Sequence, residues 1–189
     1  MTLLDVLDSR ISTPSSQLSE PGPDHDQVLR MLRSAVRVPD HGRLAPWRFV
    51  RIRGEARRAL GDVLAERCRE RDPDASNAVV EKDRQRFVQA PVVIAVVACI
   101  HKGHRIPEVE QLLSGGSVCF ALLQAAQGMG FGAQWLTGWA AYDPKVRETL
   151  SIAPDEQVLG FVHIGSVAGP IPERLRPDPA ALLTDWTPA

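Results

Sequence analysis

Two short segments of the sequence carry residues whose types suit the binding of an anionic ligand. In the first, Arg10 and Ser12 flank Ile11, so a planar guanidinium and a hydroxyl donor stand together at the end of a predicted helix. This combination suits a phosphate group. A basic residue at a helix end followed by loop serines is also common in ordinary helices, and the residues alone leave both interpretations open.

The second segment runs from Arg37 to Phe49. It contains the basic residues Arg37, Arg43 and Arg48, together with His41. Two prolines fix part of its backbone path, because the proline ring locks φ. We therefore expect a stiff loop that carries several cations and a histidine into the strand that follows.

Familiar catalytic motifs are not found in the sequence. There is no phosphate loop, nucleophile elbow or H-E-x-x-H zinc motif, and no catalytic triad or carboxylate pair can be identified. The glycines at 128, 130 and 132 follow a predicted helix and precede a strand, which is typical of a helix C-cap and not of a dinucleotide fingerprint. His101 and His104 lack a third ligand at useful spacing, so no metal site is expected.

Composition favours one ordinary globular domain over residues 1–189. The chain is 44% apolar and 24% charged, and its 22 basic and 23 acidic residues give a net charge of -1. This balance gives no electrostatic case for a nucleic acid or an anionic membrane as partner. The three cysteines, Cys68, Cys99 and Cys119, are odd in number and widely spaced, which favours reduced thiols.

Neither a membrane span nor a secretory signal is expected. The longest apolar run, residues 91–100, is half of the roughly 20 residues that a spanning helix needs. Asp5 and Asp8 stand where a signal peptide would have a basic start and a long apolar stretch. The sequence therefore predicts a cytoplasmic protein.

Hydrophobic periodicity predicts an α+β or α/β layer of three to four strands flanked by about five helices. Residues 91–100 are apolar at every position, which indicates a strand covered on both faces at the centre of the sheet. Strands are also predicted at 46–53, 131–138 and 157–165, and helices at 2–10, 24–38, 55–71, 79–88, 108–129 and 144–152. Residues 170–189 form a proline-rich tail without periodicity.

The order of these motifs resembles the nitroreductase family in its compact bacterial form, over nearly the whole chain. Each motif is weak alone, but six in the same order are specific. They are Arg10-x-Ser12; Arg37-x-Pro39-x-His41 with Pro46-Trp47-x-Phe49; the apolar strand after Ala90-Pro91; Ser114-Gly115-Gly116; Gly130-Phe131-Gly132-x-x-Trp135-x-Thr137-Gly138; and Gly160-x-x-x-x-Gly165 followed by residues 172–177.

The resemblance implies an α+β fold in which helices flank a central, mostly antiparallel sheet. It further implies an intertwined homodimer that holds FMN non-covalently at two sites in the interface. The expected activity is hydride transfer from NADH or NADPH, through the flavin, to a flat electron-poor acceptor such as a nitroaromatic or a quinone. Nicotinamide and acceptor would use the same flavin face in turn, which gives ping-pong kinetics.

The resemblance also implies roles for individual residues. Arg10 and Ser12 would hold the FMN phosphate and ribityl chain, with Ile11 contributing backbone groups. Arg37 and His41 would reach the flavin bound mainly by the other subunit. The flavin ring would be lined by Trp135, Leu136 and Thr137, and the phosphate site would be completed by Arg176, with Arg174 as the second choice.

Two positions depart from the family pattern. Ile11 stands where a second arginine is usual, and Ala45 where glutamine or asparagine is frequent. The sequence has no lysine near Ser12 that could face the pyrimidine edge of the flavin. Positive charge at that edge would have to come from Arg37. These departures keep an alternative open, in which the protein binds or senses flavin without turnover of NAD(P)H.

Overall fold

The computed structural model describes residues 2–167 and 169–188, which form one antiparallel sheet with helices on both faces. The helices are α1 (Leu3–Asp8), α2 (His25–Ala35), α3 (Glu55–Arg71), α4 (Asn77–Gln85), α5 (Glu108–Gly128) and α6 (Pro144–Thr149). The strands are β1 (Leu18–Ser19), β2 (Trp47–Arg53), β3 (Val92–Ala98), β4 (Gly132–Leu136) and β5 (Gln157–Val167).

Every strand pair is antiparallel, and the strand order is β1-β5-β3-β2 with β4 also paired to β5. All seven residues of β3 are buried. The prediction of a central strand covered on both faces is therefore confirmed. The sheet has five strands, whereas three to four were predicted. The additional strand, β1, has only two residues, which is too short to show a hydrophobic periodicity.

Alternate residues of β3 enter two separate apolar layers. Val93, Ala95 and Val97 pack with residues of α3 and α6 on one face. The intervening residues, such as Ile94 and Val96, pack with α2 and α5 on the other. This period of two is a direct consequence of strand geometry, and it fixes α5 firmly across one side of the sheet.

The end of α5 confirms the interpretation of its glycines as a helix cap. Gly130 adopts a left-handed φ of 83°, which favours glycine. Its N–H donates to the carbonyl of Gln127 at 2.9 Å, and the N–H of Phe131 donates to that of Ala126 at 2.9 Å. These two bonds are the Schellman pattern, which ends the helix and directs the chain into β4.

None of the helices described is long and apolar enough to cross a lipid bilayer.

One titratable side chain is enclosed within the sheet's α3 and α6 face. His163 on β5 is 1% exposed and stacks on Phe87 with ring centroids 5.7 Å apart. Its Nδ1 atom has no hydrogen-bond partner among the described residues. Burial, reinforced by the positive charge of Arg86, lowers the pKa of His163 from 6.5 to about 4, so the ring is neutral in the folded protein at pH 7.

This burial has a consequence for acid stability. Between pH 6.5 and about 4 the unfolded chain binds a proton at His163 that the folded chain does not. The free energy of unfolding therefore decreases as the pH is lowered through this range. The full loss is about 3 kcal/mol. Urea unfolding at several pH values should show this slope in the wild type and a shallower one in His163→Leu. The exposed His101→Gln should retain the slope, and an unchanged slope in His163→Leu would contradict the assignment.

Candidate functional site

The first candidate cluster brings together three residues from opposite ends of the chain. Arg10 Nη1 donates to Ser12 Oγ at 3.1 Å. Arg176 Nη2 donates to the backbone carbonyl of Arg10 at 3.1 Å, across 166 residues of sequence. Two guanidinium groups and a hydroxyl therefore converge at one place, which fits the requirements of a phosphate dianion.

Contacts with α5 and β4 hold this cluster in place. Gln127, in the last turn of α5, donates from Nε2 to Ser9 Oγ at 2.9 Å. The N–H of Thr13 donates to the carbonyl of Ala133 at 3.0 Å. The segment between them, which includes the half-buried Ile11, is thus fixed at the C-terminal end of α5. The Ile11 side chain cannot bind an anion, and only its backbone groups are suitable.

The structure distinguishes the two arginines of the tail. The guanidinium of Arg174 makes no hydrogen bond or ion pair within the described residues, whereas Arg176 contacts the Arg10 segment. Arg176 also lies 2.7 Å from Glu173, in a pair that is half exposed on both sides. An exposed pair of this kind is weak and leaves the guanidinium able to bind another anion.

The second cluster lies in the loop that follows α2, and several hydrogen bonds restrain the backbone of this loop. Asp40 accepts hydrogen bonds from the N–H groups of Leu44 and Ala45, at 3.2 and 2.8 Å. Ser114 of α5 donates from Oγ to the carbonyl of Pro39 at 2.6 Å. These hydrogen bonds add to the two prolines in restraining the path of the loop.

Within that loop, His41 and Arg37 are exposed to solvent. His41 Nδ1 lies 2.7 Å from Glu110 Oε2 in the first turn of α5, which orients the ring. Arg48, the third cation expected in this segment, is committed elsewhere: it forms a bidentate pair with Glu156, both contacts at 2.6 Å. This pair lowers the pKa of Glu156 to about 2.

The two clusters lie at opposite ends of α5. His41 is attached near its start through Glu110, and the Arg10 cluster near its end through Gln127. Seventeen residues at a rise of about 1.5 Å each separate these anchors by about 25 Å. The two clusters are therefore held at a fixed spacing along one helix.

An apolar groove of about 500 Å³ follows the N-terminal half of α5, from Val109 to Phe120. Its lining consists of Val109, Leu112, Leu113, Gly116, Ser117, Phe120 and Trp135. The indole N–H of Trp135 donates to the carbonyl of Leu159 at 3.1 Å, and the ring packs against Gly160, where any side chain would collide with it. Trp135 is thus fixed in orientation while 37% of it stays exposed.

Beyond Trp135, Leu136 and Thr137 continue the strand end and are half-buried. The Thr137 hydroxyl makes no hydrogen bond in the part of the chain that the structure describes, so it is available to a ligand. The segment 135–137 therefore presents an aromatic ring, backbone groups and one hydroxyl near the groove.

A family model described as "Nitroreductase family" matches residues 16–166. The chain belongs to the nitroreductase family. The Escherichia coli K12 protein named "Putative NAD(P)H nitroreductase YdjA" is 34% identical over 166 residues, which cover 88% of each chain. The matched family segment begins after Ser12 and ends before Arg176. The case for Arg10, Ser12 and Arg176 as one site therefore depends on their geometry and on the resemblance of their motifs.

Solved nitroreductase structures have the same fold. A nitroreductase-like family protein from Bacillus cereus has a TM-score of 0.82 at 20% identity, over 98% of this chain and 96% of the other. A nitroreductase with bound FMN from Bacteroides fragilis has a TM-score of 0.74 at 17% identity, over 99% and 100%. The expected α+β fold, with an antiparallel sheet flanked by helices, is confirmed.

Several residues that shape this nitroreductase-family site were not predicted. Glu110, Gln127 and the hydrogen bond of Ser114 become visible only when helix and loop meet in three dimensions. In the sequence, Glu110 is recognisable only as an acidic residue in the first turn of a helix. Acidic residues are common there, and the pattern does not indicate which residue they contact. Over residues 2–167 and 169–188, no three histidine, cysteine or acidic side chains come together in a way that could hold a metal.

Backbone strain in the His41 loop leads to a prediction at Ala45. Ala45 has a φ of 45°, a left-handed value that costs a residue with a Cβ roughly 1–2 kcal/mol. We expect Ala45→Gly to raise the free energy of unfolding by about 0.5–1 kcal/mol. The same exchange at Ala59, exposed within α3, should lower it by a similar amount. Denaturant midpoints would measure both, and destabilisation by Ala45→Gly would contradict the strain.

Proposed function

We propose that the protein is an FMN-dependent NAD(P)H oxidoreductase that works as a homodimer. Its acceptors are flat, electron-poor molecules such as nitroaromatics or quinones, reduced in a ping-pong cycle. Bound FMN supplies the redox chemistry, because it accepts a hydride from the nicotinamide and passes it to the acceptor. The names of the E. coli relative and of the FMN-containing B. fragilis structure support this assignment.

The observation that carries the proposal is the placement of the two clusters at opposite ends of α5. A second copy related by a two-fold axis perpendicular to α5 would run its α5 antiparallel to the first. The partner subunit's His41 and Arg37 would then approach the flavin whose phosphate is held by Arg10. Each of two equivalent sites would thus draw residues from both subunits.

The surface of α5 supports such a pairing. Val109, Leu113 and Phe120 are 59%, 66% and 44% exposed, and they follow one side of the helix. Gly115 faces inward, where a Cβ would collide with Leu159, whereas Gly116 faces open space. An exposed apolar stripe with a glycine near its middle allows a second helix to cross closely.

The C-terminal tail supports the intertwined arrangement. Four of its large apolar side chains are between 73% and 102% exposed: Leu175, Leu182, Leu183 and Trp186. Such residues are seldom left in water unless a further surface covers them. A tail that continues from Arg176 onto a second subunit would bury them.

In this assignment each group has a binding or orienting task. Arg10, Ser12 and Arg176 neutralise and hydrogen-bond the phosphate. Trp135 would pack against the flavin ring at its end of the groove, and the second copy's α5, crossing near Gly116, would exclude water from the ring. Arg37 supplies positive charge near the pyrimidine edge, which stabilises the negative charge of the reduced ring. Thr137 offers a hydroxyl hydrogen bond to the ring or ribityl chain.

Removal of one phosphate contact tests the cofactor assignment. Arg10→Ala should weaken FMN binding by about tenfold to a hundredfold, because it deletes a charge-assisted hydrogen bond of roughly 1.5–3 kcal/mol. Arg69→Ala, at an exposed position on α3, should leave the affinity unchanged. Fluorescence titration of the apoprotein with FMN measures both. Equal affinity of the Arg10 variant and the wild type would refute the role of Arg10.

Bound FMN that neither NADH nor NADPH bleaches would favour a flavin-binding protein without turnover.

Steric blocking of α5 tests the dimer. Gly116→Leu leaves the subunit itself undisturbed, because nothing in it lies within 4 Å of the added Cβ. We expect this variant to sediment as a folded monomer and to lose most of its FMN affinity. Ala78→Leu adds the same apolar side chain on an exposed part of α4 and should stay dimeric. A Gly116→Leu protein that remains a dimer with normal FMN content would contradict the α5 interface.

A further inference from the structure

Two cationic loops meet beside the start of α5. One is the turn His41–Arg43, and the other runs from His101 to Arg105. The contact between them is tight, because the buried Ile106 lies directly against Gly42 and leaves no room for a side chain there. Arg43 and Arg105 are the sequence neighbours of these two contact residues, so the backbone positions that carry both arginines lie in the same small area.

The second loop is held rigidly by one buried side chain. Gln111 of α5 is 3% exposed. Its Oε1 accepts from the N–H of His101 at 2.8 Å, and its Nε2 donates to the carbonyls of His101 and Ile106 at 3.3 and 3.1 Å. Because the loop is held at both ends, the backbone at Lys102 and Arg105 loses little conformational freedom when a ligand binds. This lowers the entropic cost of binding.

The positive charges here are not neutralised by neighbouring acids. Arg43, Lys102 and Arg105 are exposed, and none makes an ion pair within residues 2–167 and 169–188. The acids nearby have other contacts or stand to one side: Asp40 accepts from two backbone N–H groups, Glu110 contacts His41, and Asp155 lies with Glu156 beside His101, away from Arg43 in sequence. By contrast, arginines of α3 and α4 such as Arg58 and Arg84 pair with acids three residues away.

The position of these loops relates them to the proposed redox site. Glu110, which binds His41, adjoins Val109, the first residue of the apolar groove. A nicotinamide stacked on a flavin in that groove must direct the rest of its dinucleotide out of the groove. The cationic loops lie at the Glu110 end of the groove, beside His41, which the proposed function directs toward the flavin of the second copy.

We propose that Arg43, Lys102 and Arg105 bind the 2′-phosphate of NADPH, so that NADPH is the preferred electron donor. This inference rests on the proposed function. A 2′-phosphate is the only group that distinguishes NADPH from NADH, and arginine forks are the usual means of accommodating it. Because the contacts are exposed, the preference is sensitive to salt.

Direct binding to the oxidised FMN protein tests this inference without turnover. Calorimetry with NADP⁺ and NAD⁺ should show NADP⁺ binding about tenfold more tightly, with the difference declining as salt is raised. Arg43→Gln/Arg105→Gln should abolish the difference by weakening NADP⁺ alone. The control Arg30→Gln/Arg69→Gln removes two equally exposed charges from α2 and α3 and should preserve it. Equal affinity of the wild type for both nucleotides, or equal losses in the two double variants, would overturn the assignment.

Two further outcomes separate this inference from its alternatives. If the Arg43/Arg105 variant binds NADP⁺ normally but has a raised KM for an anionic acceptor such as 4-nitrobenzoate, the loops serve the acceptor and the assignment is wrong. A protein that takes up no FMN but discriminates NADP⁺ through these residues would refute the proposed function and support the phosphate site. A flavoprotein that both donors reduce equally well would refute the phosphate site alone.

Discussion

The length and placement of α5 constrain the rest of the candidate site. The helix is fixed against the sheet by an apolar layer that includes alternate residues of β3. Both candidate clusters are attached to it, one through Glu110 and the other through Gln127. Because the helix between these anchors is rigid, their separation of about 25 Å cannot be adjusted by small motions. Under the proposed function, one FMN that contacts both clusters would therefore draw them from two chains.

Individual buried or half-buried polar groups hold the loops around this helix. Gln111 closes the 101–106 loop, Ser114 binds the carbonyl of Pro39, and Asp40 satisfies two N–H groups of its own loop. Each bond is worth only about 1 kcal/mol to stability. Their larger effect is on geometry, because they maintain strained backbone at Arg43 and Ala45 and keep cationic side chains in fixed positions. The loops thus derive their stiffness from contacts with α5 as well as from their prolines.

The sequence predicted the larger elements well, because their signals are local. The fully buried strand β3, the cap at Gly130 and the start of α2 near Asp24 all follow from neighbouring residues. Pairings between distant segments could not be predicted in this way. The commitment of Arg48 to Glu156 spans 108 residues, and the approach of Arg176 to Arg10 spans 166. Likewise, the sequence could not decide whether the glycines of α5 serve contacts within the subunit, whereas the structure shows that Gly115 does and Gly116 faces outward.

A two-chain site can be tested most directly by complementation. One chain carries Arg10→Ala and Ser12→Ala, a second carries Arg37→Ala and His41→Ala, and different affinity tags allow the mixed dimer to be purified. Each variant alone should bind FMN weakly, since both of its sites lack one cluster. The mixed dimer should contain one intact site and one doubly impaired site, and should therefore bind one FMN tightly per two chains. A mixed dimer that binds FMN no better than either parent would contradict the two-chain account.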